Sequence, residues 1–223
     1  MQAFTVLPDA DSVALAAADH LAELITACVD ANGLCHVALA GGTTPARCLE
    51  LLSAKPLPWQ QIHWYLGDER CYPAGHGERN DSMVRRQLWS RIDAPEENIH
   101  PIAAELGAEA AAQRYAQLID GLDRLDIVML GMGEDGHTAS LFPGNPATES
   151  GVSVVAVYDA PKPPPQRVSL GLASLQAAHR RVVLVTGSAK REALAQVRQG
   201  AALPISRVGP SHWFVDEAAA GAV

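Results

Sequence analysis

Three strand-length runs in this chain are continuously apolar: HVALA at 36–40, the body of DIVML at 126–130 and the body of RVVLVT at 181–186. A strand with one face in water alternates apolar and polar residues, whereas a continuous run needs cover on both faces. A parallel sheet sandwiched between helices meets that condition, so these runs limit the fold more than any other feature. The stretches between them carry helical signals. Asp9 and Asp11 offer N-caps, Leu21, Leu24, Ile25 and Cys28 recur at helical spacing, and Gly33 can end that helix. Thr44-Pro45 opens a helix through Leu52, with Pro at the favoured first position. Further helices are expected over 80–90, 105–122 and 188–198, and further strands over 4–7, 62–66, 152–157 and 212–215. The alternation specifies an α/β class: one doubly wound, mostly parallel sheet with helices on both faces, in a single domain over 1–223. PKPPP at 161–165 is the one breaker-rich stretch, and it is read as a loop near the active site rather than a domain linker.

Charge narrows the partners. The 223 residues hold 17 basic and 25 acidic side chains, a net −8, which argues against nucleic acid and anionic membranes as partners. No apolar run approaches the ~20 residues of a membrane span, and MQAFTVLPDADS lacks the basic residues of a secretory signal. Cys28, Cys35, Cys48 and Cys71 form no CxxC pair and are expected as reduced thiols, in keeping with a cytoplasmic protein. No His, Cys or acidic cluster has metal-ligand spacing, so no metal site is expected. A protein at −8 that binds an anion must gather local positive charge to do so.

In an open α/β sheet, ligands bind beyond the carboxyl ends of the strands. Four glycine-led segments follow four apolar strands: Gly41-Gly42-Thr43-Thr44-Pro45, Gly67-Asp68-Glu69-Arg70, Gly131-Met132-Gly133-Glu134-Asp135-Gly136-His137-Thr138 and Gly187-Ser188-Ala189-Lys190. Parallel strands would bring all four to one sheet edge. GGTTP is either an anion site at a helix N-terminus or a tight turn with Thr44 as N-cap. Lys190 in the first turn of a helix opposes the helix dipole, a cost that makes sense if both share an anion; otherwise it is a solvated surface lysine. Arg167 can act as a second phosphate clamp beside it. In the third segment, glycines let the backbone approach a ligand, His137 can act as a general base, and Asp135 can orient it or itself move a proton; the plainer alternative is Asp135 capping a helix that starts at His137. Asp68, Glu69 and Arg70 offer either a structural ion pair or a substrate contact. Among the other histidines, His76 alone lies close to such a segment.

The segments ALAGGTTP, LGDERCYP with Asn80 downstream, LGMGEDGHTASLFPG, Arg167 with VSLG, and TGSAK together resemble the 6-phosphogluconolactonase family across residues 38–190. The resemblance implies hydrolysis of 6-phospho-D-glucono-1,5-lactone to 6-phosphogluconate in the oxidative pentose phosphate pathway, with no cofactor and a small phosphorylated sugar lactone as partner. It implies His137 as the base that activates water and Asp135 as its orienting or acid/base partner. It also implies Arg70 as a substrate contact, and Lys190, Arg167 and the loop of Gly42, Thr43 and Thr44 as the phosphate site. Gly41, Asp68, Asn80 and Gly133 complete the expected substrate-binding set. The related glucosamine-6-phosphate deaminases continue the His loop with Asn-Glu-Pro, whereas this chain continues with SLFPG, which favours the lactonase. A non-catalytic phosphosugar-binding domain is the alternative of another class. Tyr72 and Arg79 depart from the family pattern, the first expected as a packing change and the second as added charge near the site mouth. A monomer or small homo-oligomer is expected.

Overall fold

A computed structural model describes residues 3–221; residues 1, 2, 222 and 223 of the expected 1–223 domain lie outside the described part. In chain order the elements are β1 (Ala3–Leu7), α1 (Ala10–Asn32), β2 (Cys35–Leu39), α2 (Thr43–Leu52), β3 (Ile62–Leu66), β4 (Asp68–Arg70), α3 (Asn80–Gln87) and α4 (Ala108–Ile119). There follow β5 (Ile127–Gly131), β6 (Val154–Val157), β7 (Arg167–Leu170), α5 (Leu172–Ala177), β8 (Arg180–Val185), α6 (Arg191–Arg198), β9 (His212–Asp216) and α7 (Glu217–Ala220). The main sheet runs β1-β9-β8-β5-β2-β3, and every pairing in it is parallel. Val37, Ala38, Ile127, Val128, Met129, Val182 and Val183 are buried, as two-sided cover of continuous apolar strands requires.

The strand order places a reversal between β2 and β5. From β2 the chain steps outward to β3; later it returns to β5 on the other side of β2 and builds away through β8 and β9. The loops after β2 and β5 therefore part in opposite directions and leave a crevice between them, the position at which doubly wound sheets bind ligands. The exposed rim of β3 is covered: the Tyr115 hydroxyl on α4 donates to Leu66 O at 3.1 Å and accepts from Leu66 N at 2.9 Å.

Helix α1 follows its sequence signals. Asp9 accepts from Ser12 N at 2.8 Å, and Gly33, at φ +80°, closes the helix onto Val29 O. By length and composition α1 is apolar enough to cross a bilayer, contrary to the sequence expectation. Its apolar residues Val13, Ala17, Leu21, Ile25 and Val29 are instead buried in the core, while Asp11, Asp19 and Glu23 lie outside it.

Other expectations are corrected. Helix α2 starts at Thr43 with Gly42 (φ +108°) as its N-cap, so Thr44 is not the cap and Pro45 takes the third position, where its missing N–H is still no loss. The helix expected over 105–122 is split by Gly107 at φ +87° into a 3-10 turn (Ala104–Leu106) and α4. That expected over 80–90 ends at Gln87 and is followed by a 3-10 turn, Trp89–Arg91; that expected from 188 starts as a 3-10 turn, Ser188–Lys190, before α6. No helix starts at His137; that segment turns and bridges Thr138 to Leu141. A second sheet was not foreseen: β4, β7 and β6 pair antiparallel beside the main one.

Asp216 ends β9 and joins two turns. Both its oxygens accept from Gly187 N, at 3.0 and 2.9 Å, and one caps α7 through Ala219 N at 2.7 Å. The carboxylate is buried, so its removal orphans two backbone donors. Asp216→Ala is expected to lower stability by about 1–3 kcal/mol in urea unfolding, with Asp216→Asn recovering part of the loss.

Candidate active site

All four glycine-led segments lie at the carboxyl ends of β2, β3, β5 and β8, on one edge of the main sheet. The segment after β5 folds back on itself. Thr138 Oγ1 donates to Gly131 O at 2.9 Å, Gly133 N donates to His137 O at 2.8 Å, and Gly136 N donates to Gly133 O at 3.1 Å. This hairpin presents the His137 ring with Asp135 Oδ1 2.5 Å from Nδ1, and the same carboxylate accepts from His137 N at 3.1 Å. Phe142 packs against the ring at a tilt, its centroid 4.6 Å away. Gly133 runs directly beneath: a Cβ there would lie 1.9 Å from His137 Nδ1.

Partial burial alone would raise the Asp135 carboxyl. The side-chain and backbone hydrogen bonds from His137, with the imidazole's charge, outweigh it and hold Asp135 down to about 2. An ionised Asp135 can only accept, so Nδ1 carries a hydrogen, and in the neutral tautomer Nε2 is the acceptor.

Around the ring, Gly41, Gly42, Asp68, Arg70, Asn80, Gly133, His137, Arg167 and Lys190 line one hollow of about 440 Å³. Arg70 on β4 stands directly opposite Arg167 on β7. Like charges at opposed strand positions repel, a cost that the neighbouring Asp68 carboxylate offsets in part and that a bound anion would offset further. Arg167 is buried, and three of its N–H bonds hold the carbonyls of Lys162, Pro163 and Pro164, which fixes the proline loop at the hollow's rim. Arg70 Nη1 donates to Glu78 O at 2.6 Å, and its Nε is buried without a partner. Burial pulls the Lys190 ammonium below its ordinary value; Lys162 adds to the fall, and Glu134 and Asp135 oppose it. A phosphate bound there would reverse that shift by favouring the charged form.

Behind these groups lies a buried polar lattice. Asp68 accepts from Ser140 Oγ at 2.5 Å and from Asn80 Nδ2 at 3.0 Å. Asn80 packs so closely on the β2 loop that a Cβ at Gly41 would lie 2.0 Å from its Oδ1. Glu69 points away from the hollow and accepts from Arg70 N, Asn80 N and Asp81 N, fastening β4 to the start of α3. Burial pushes the Glu69 carboxyl up to about 7, against the pull of those three donors.

The structure therefore gathers most of the sequence-derived site around one hollow, which three expected members do not line. Thr43 is exposed and Thr44 Oγ1 is engaged with Thr186 Oγ1 at 2.6 Å; neither lines the hollow, and Asp135 touches it only through the His137 ring that it holds. Arg79 adds no charge at the mouth. It is buried and bound by Asp81, Glu105, Tyr72 O and Ile102 O, at the wall of a separate hollow. Tyr72 stacks on His76, a packing role as expected. Residues missed from the sequence are Ser140, Phe142 and Lys162. Ser140 and Phe142 stand in the matched loop, and Lys162 in the proline loop, but their roles depend on Asp68, the His137 ring and the rim.

Comparison with known proteins places the chain and its fold among known relatives. A family model described as glucosamine-6-phosphate isomerases/6-phosphogluconolactonase matches residues 8–217. The 6-phosphogluconolactonase of Mycobacterium tuberculosis is 38% identical over 211 residues, covering 88% of this chain and 85% of that protein. The human 6-phosphogluconolactonase is 35% identical, covering 97% and 92%. The crystal structure of 6-phosphogluconolactonase from Thermotoga maritima superposes with a TM-score of 0.91 at 27% identity, covering 97% of this chain and 100% of that one.

The contact beneath the ring gives a test of the site's packing. Gly133→Ala must push the His137 ring from Asp135, and overpacking of this kind costs about 1–3 kcal/mol. A displaced His137 ring resonance in NMR spectra and a lowered melting temperature are expected together.

Proposed function

This chain belongs to the family of glucosamine-6-phosphate isomerases and 6-phosphogluconolactonases, and we propose that it is a lactonase of that family. It hydrolyses 6-phospho-D-glucono-1,5-lactone to 6-phospho-D-gluconate, in the oxidative branch of the pentose phosphate pathway. One observation carries the reading: an imidazole oriented by an ionised carboxylate opens on the same hollow as Arg70, Arg167 and Lys190.

The substrate's phosphate takes Lys190 and Arg167, which places C1 of the lactone at His137. Nε2 removes a proton from water as the water oxygen attacks C1. Asp135 holds the ring through Nδ1 and stabilises the imidazolium that forms. The oxyanion on the former carbonyl needs donors. Gly133, Gly136 and His137 spend their N–H groups inside the loop, so the Arg70 guanidinium at the hollow's wall and the N–H groups at Gly41 and Gly42 supply them. Collapse breaks the bond from C1 to the ring oxygen, and the imidazolium returns its proton to that oxygen. The product is an open-chain acid that ionises in solution. General acid–base help of this kind contributes about 10²–10⁴-fold and a well-aimed oxyanion donor about 10²–10³-fold. Anchoring the phosphate away from C1 fixes the attack geometry. Each step uses protein groups and water alone.

The deaminase reading is weaker here. After His137 the chain supplies Ser140, engaged with Asp68, then buried Leu141 and Phe142, and no further carboxylate follows in this loop. A purely sugar-sensing domain has no need of the His137–Asp135 pair. With this reading go one domain over 1–223, a cytoplasmic location that four free cysteines support, no nucleic-acid or membrane partner, and a monomeric or small homo-oligomeric state.

His137→Asn is expected to lower kcat by about 10²–10⁴-fold while product affinity stays within a few-fold, measured by lactone hydrolysis above the spontaneous rate and by calorimetry with 6-phosphogluconate. Near-normal turnover would remove His137 from the mechanism. Glucosamine 6-phosphate, the control substrate, is expected to release no ammonia. Lys190 makes a second test through pH. Only its charged form attracts phosphate, and its folded-state pKa lies below that of an ordinary lysine. Binding therefore weakens as pH rises through that lowered value. Affinity for 6-phosphogluconate is expected to fall at a lower pH than an ordinary lysine would dictate, and Lys190→Arg is expected to flatten the fall.

A further inference from the structure

At the opposite edge of the main sheet, three side chains with no part in the lactonase chemistry converge. Cys28 lies in the last turns of α1, Cys35 is the first residue of β2, and Asp126 immediately precedes β5. Their two sulfurs and one carboxylate oxygen all lie within 4.8 Å of one another. Asp126 is in no ion pair among the described residues, and it is oriented by His36 N, which donates to Oδ2 at 2.8 Å. The Cys28 sulfur also contacts the Asn32 amide at 3.5 Å. Cys35 is buried and Cys28 half-buried, so the group is closed on the protein side and open to water on the other.

We propose that Cys28, Cys35 and Asp126 form a second site, apart from the active site, that binds one thiophilic divalent cation, zinc by preference. Two sulfurs and a carboxylate oxygen form a donor set that zinc accepts, with water in the fourth, solvent-facing position. A tetrahedral centre with Zn–S of about 2.3 Å and Zn–O of about 2.0 Å separates its ligand atoms by roughly 3.5–3.8 Å, so a set already within 4.8 Å needs little more than about 1 Å of closure. The unpaired carboxylate gives the second independent reason. Burial raises both thiols, and the Asp126 carboxylate beside them adds to the rise. A bound cation resolves that conflict: the two thiols lose their protons to solvent as the metal takes the sulfurs, and Asp126 becomes a ligand. Bound there, the ion would tie the end of α1 to the starts of β2 and β5. His137 sits beyond the other end of those strands, roughly 15 Å away along a five-residue strand.

Cadmium is the probe, because its thiolate complexes absorb in the ultraviolet. Titrating cadmium chloride into the reduced, chelator-treated full-length protein is expected to raise a sulfur-to-metal charge-transfer band that saturates at one equivalent, and zinc chloride is expected to compete. Cys28→Ser and Cys35→Ser are each expected to abolish the band. Loss of an outer-shell partner already weakens metal sites about 10–100-fold, so Asp126→Asn is expected to weaken this one by at least about tenfold. Lactonase turnover reports folding of every variant independently of the metal; should Cys35→Ser fail that check, Cys28→Ser, at a half-exposed position, decides. No saturable band in the parent protein, or a band unchanged in folded Cys28→Ser, overturns the proposal.

Discussion

The reversal of strand order between β2 and β5 is the constraint on which the active site depends. Because every pairing in the main sheet is parallel, all its strands end at the same edge, and because the order reverses there, two of the ensuing loops diverge. The β2 loop supplies backbone at Gly41 and Gly42, the β5 loop supplies His137, and the hollow lies between them. The small antiparallel sheet then closes one side. β4 follows β3 after only Gly67, so Asp68 and Arg70 are carried to the crevice by the short length of that connection. A change that slipped β4 against β7 by one residue would turn Arg70 and Asp68 to the other face, because side chains alternate along a strand.

Electrostatics works locally. The net −8 belongs to the whole chain, whereas Arg70, Arg167, Lys190 and Lys162 line a hollow in which Asp68 is the one lining carboxylate. Counter-ions screen charges beyond about 10 Å at ordinary ionic strength, so the remote acidic surface has little influence there. The cations repel one another in the free enzyme. Burial depresses the Lys190 ammonium and Lys162 adds to the fall, so an anion bound in the proposed manner would relieve the strain among these cations. Arg167 combines two tasks, since the carbonyls it binds also shape the proline loop at the rim.

Most of the main sheet was legible in the sequence because burial on both faces leaves an unbroken apolar run, and four of its strands end in a glycine-led segment. The small sheet was not. Asp68-Glu69-Arg70 carries three charges in three residues, and only the partner strand a hundred positions later makes it a strand. Propensity also fails where one glycine overrides it, as Gly107 does in an otherwise helical stretch. Within the site, His137, Asp135, Arg70, Arg167 and Lys190 are chemically distinctive and stand beside strand ends, so sequence alone could nominate them. Ser140 could not be nominated, because an interior serine signals nothing until Asp68 is seen against it. Cys28, Cys35 and Asp126 escaped for the same reason: 90 residues separate His36 from the Asp126 that binds its N–H, and no short motif spans that gap.

The two close glycine contacts show why the site needs a rigid frame. Gly41 admits Asn80 and Gly133 admits His137, each at a distance that any side chain would prevent. In both places a functional loop is held by a side chain seated on bare backbone, and that side chain is held from behind by a carboxylate: Asn80 by Asp68, His137 by Asp135. Asp68 is fixed in turn by Ser140, which follows His137 by three residues, so the β5 loop and β4 brace each other. Such a closed circuit leaves few free torsions at the reacting groups. On the proposed mechanism attack geometry and proton transfer both fall on the His137 imidazole, and such a frame supplies the positioning they require.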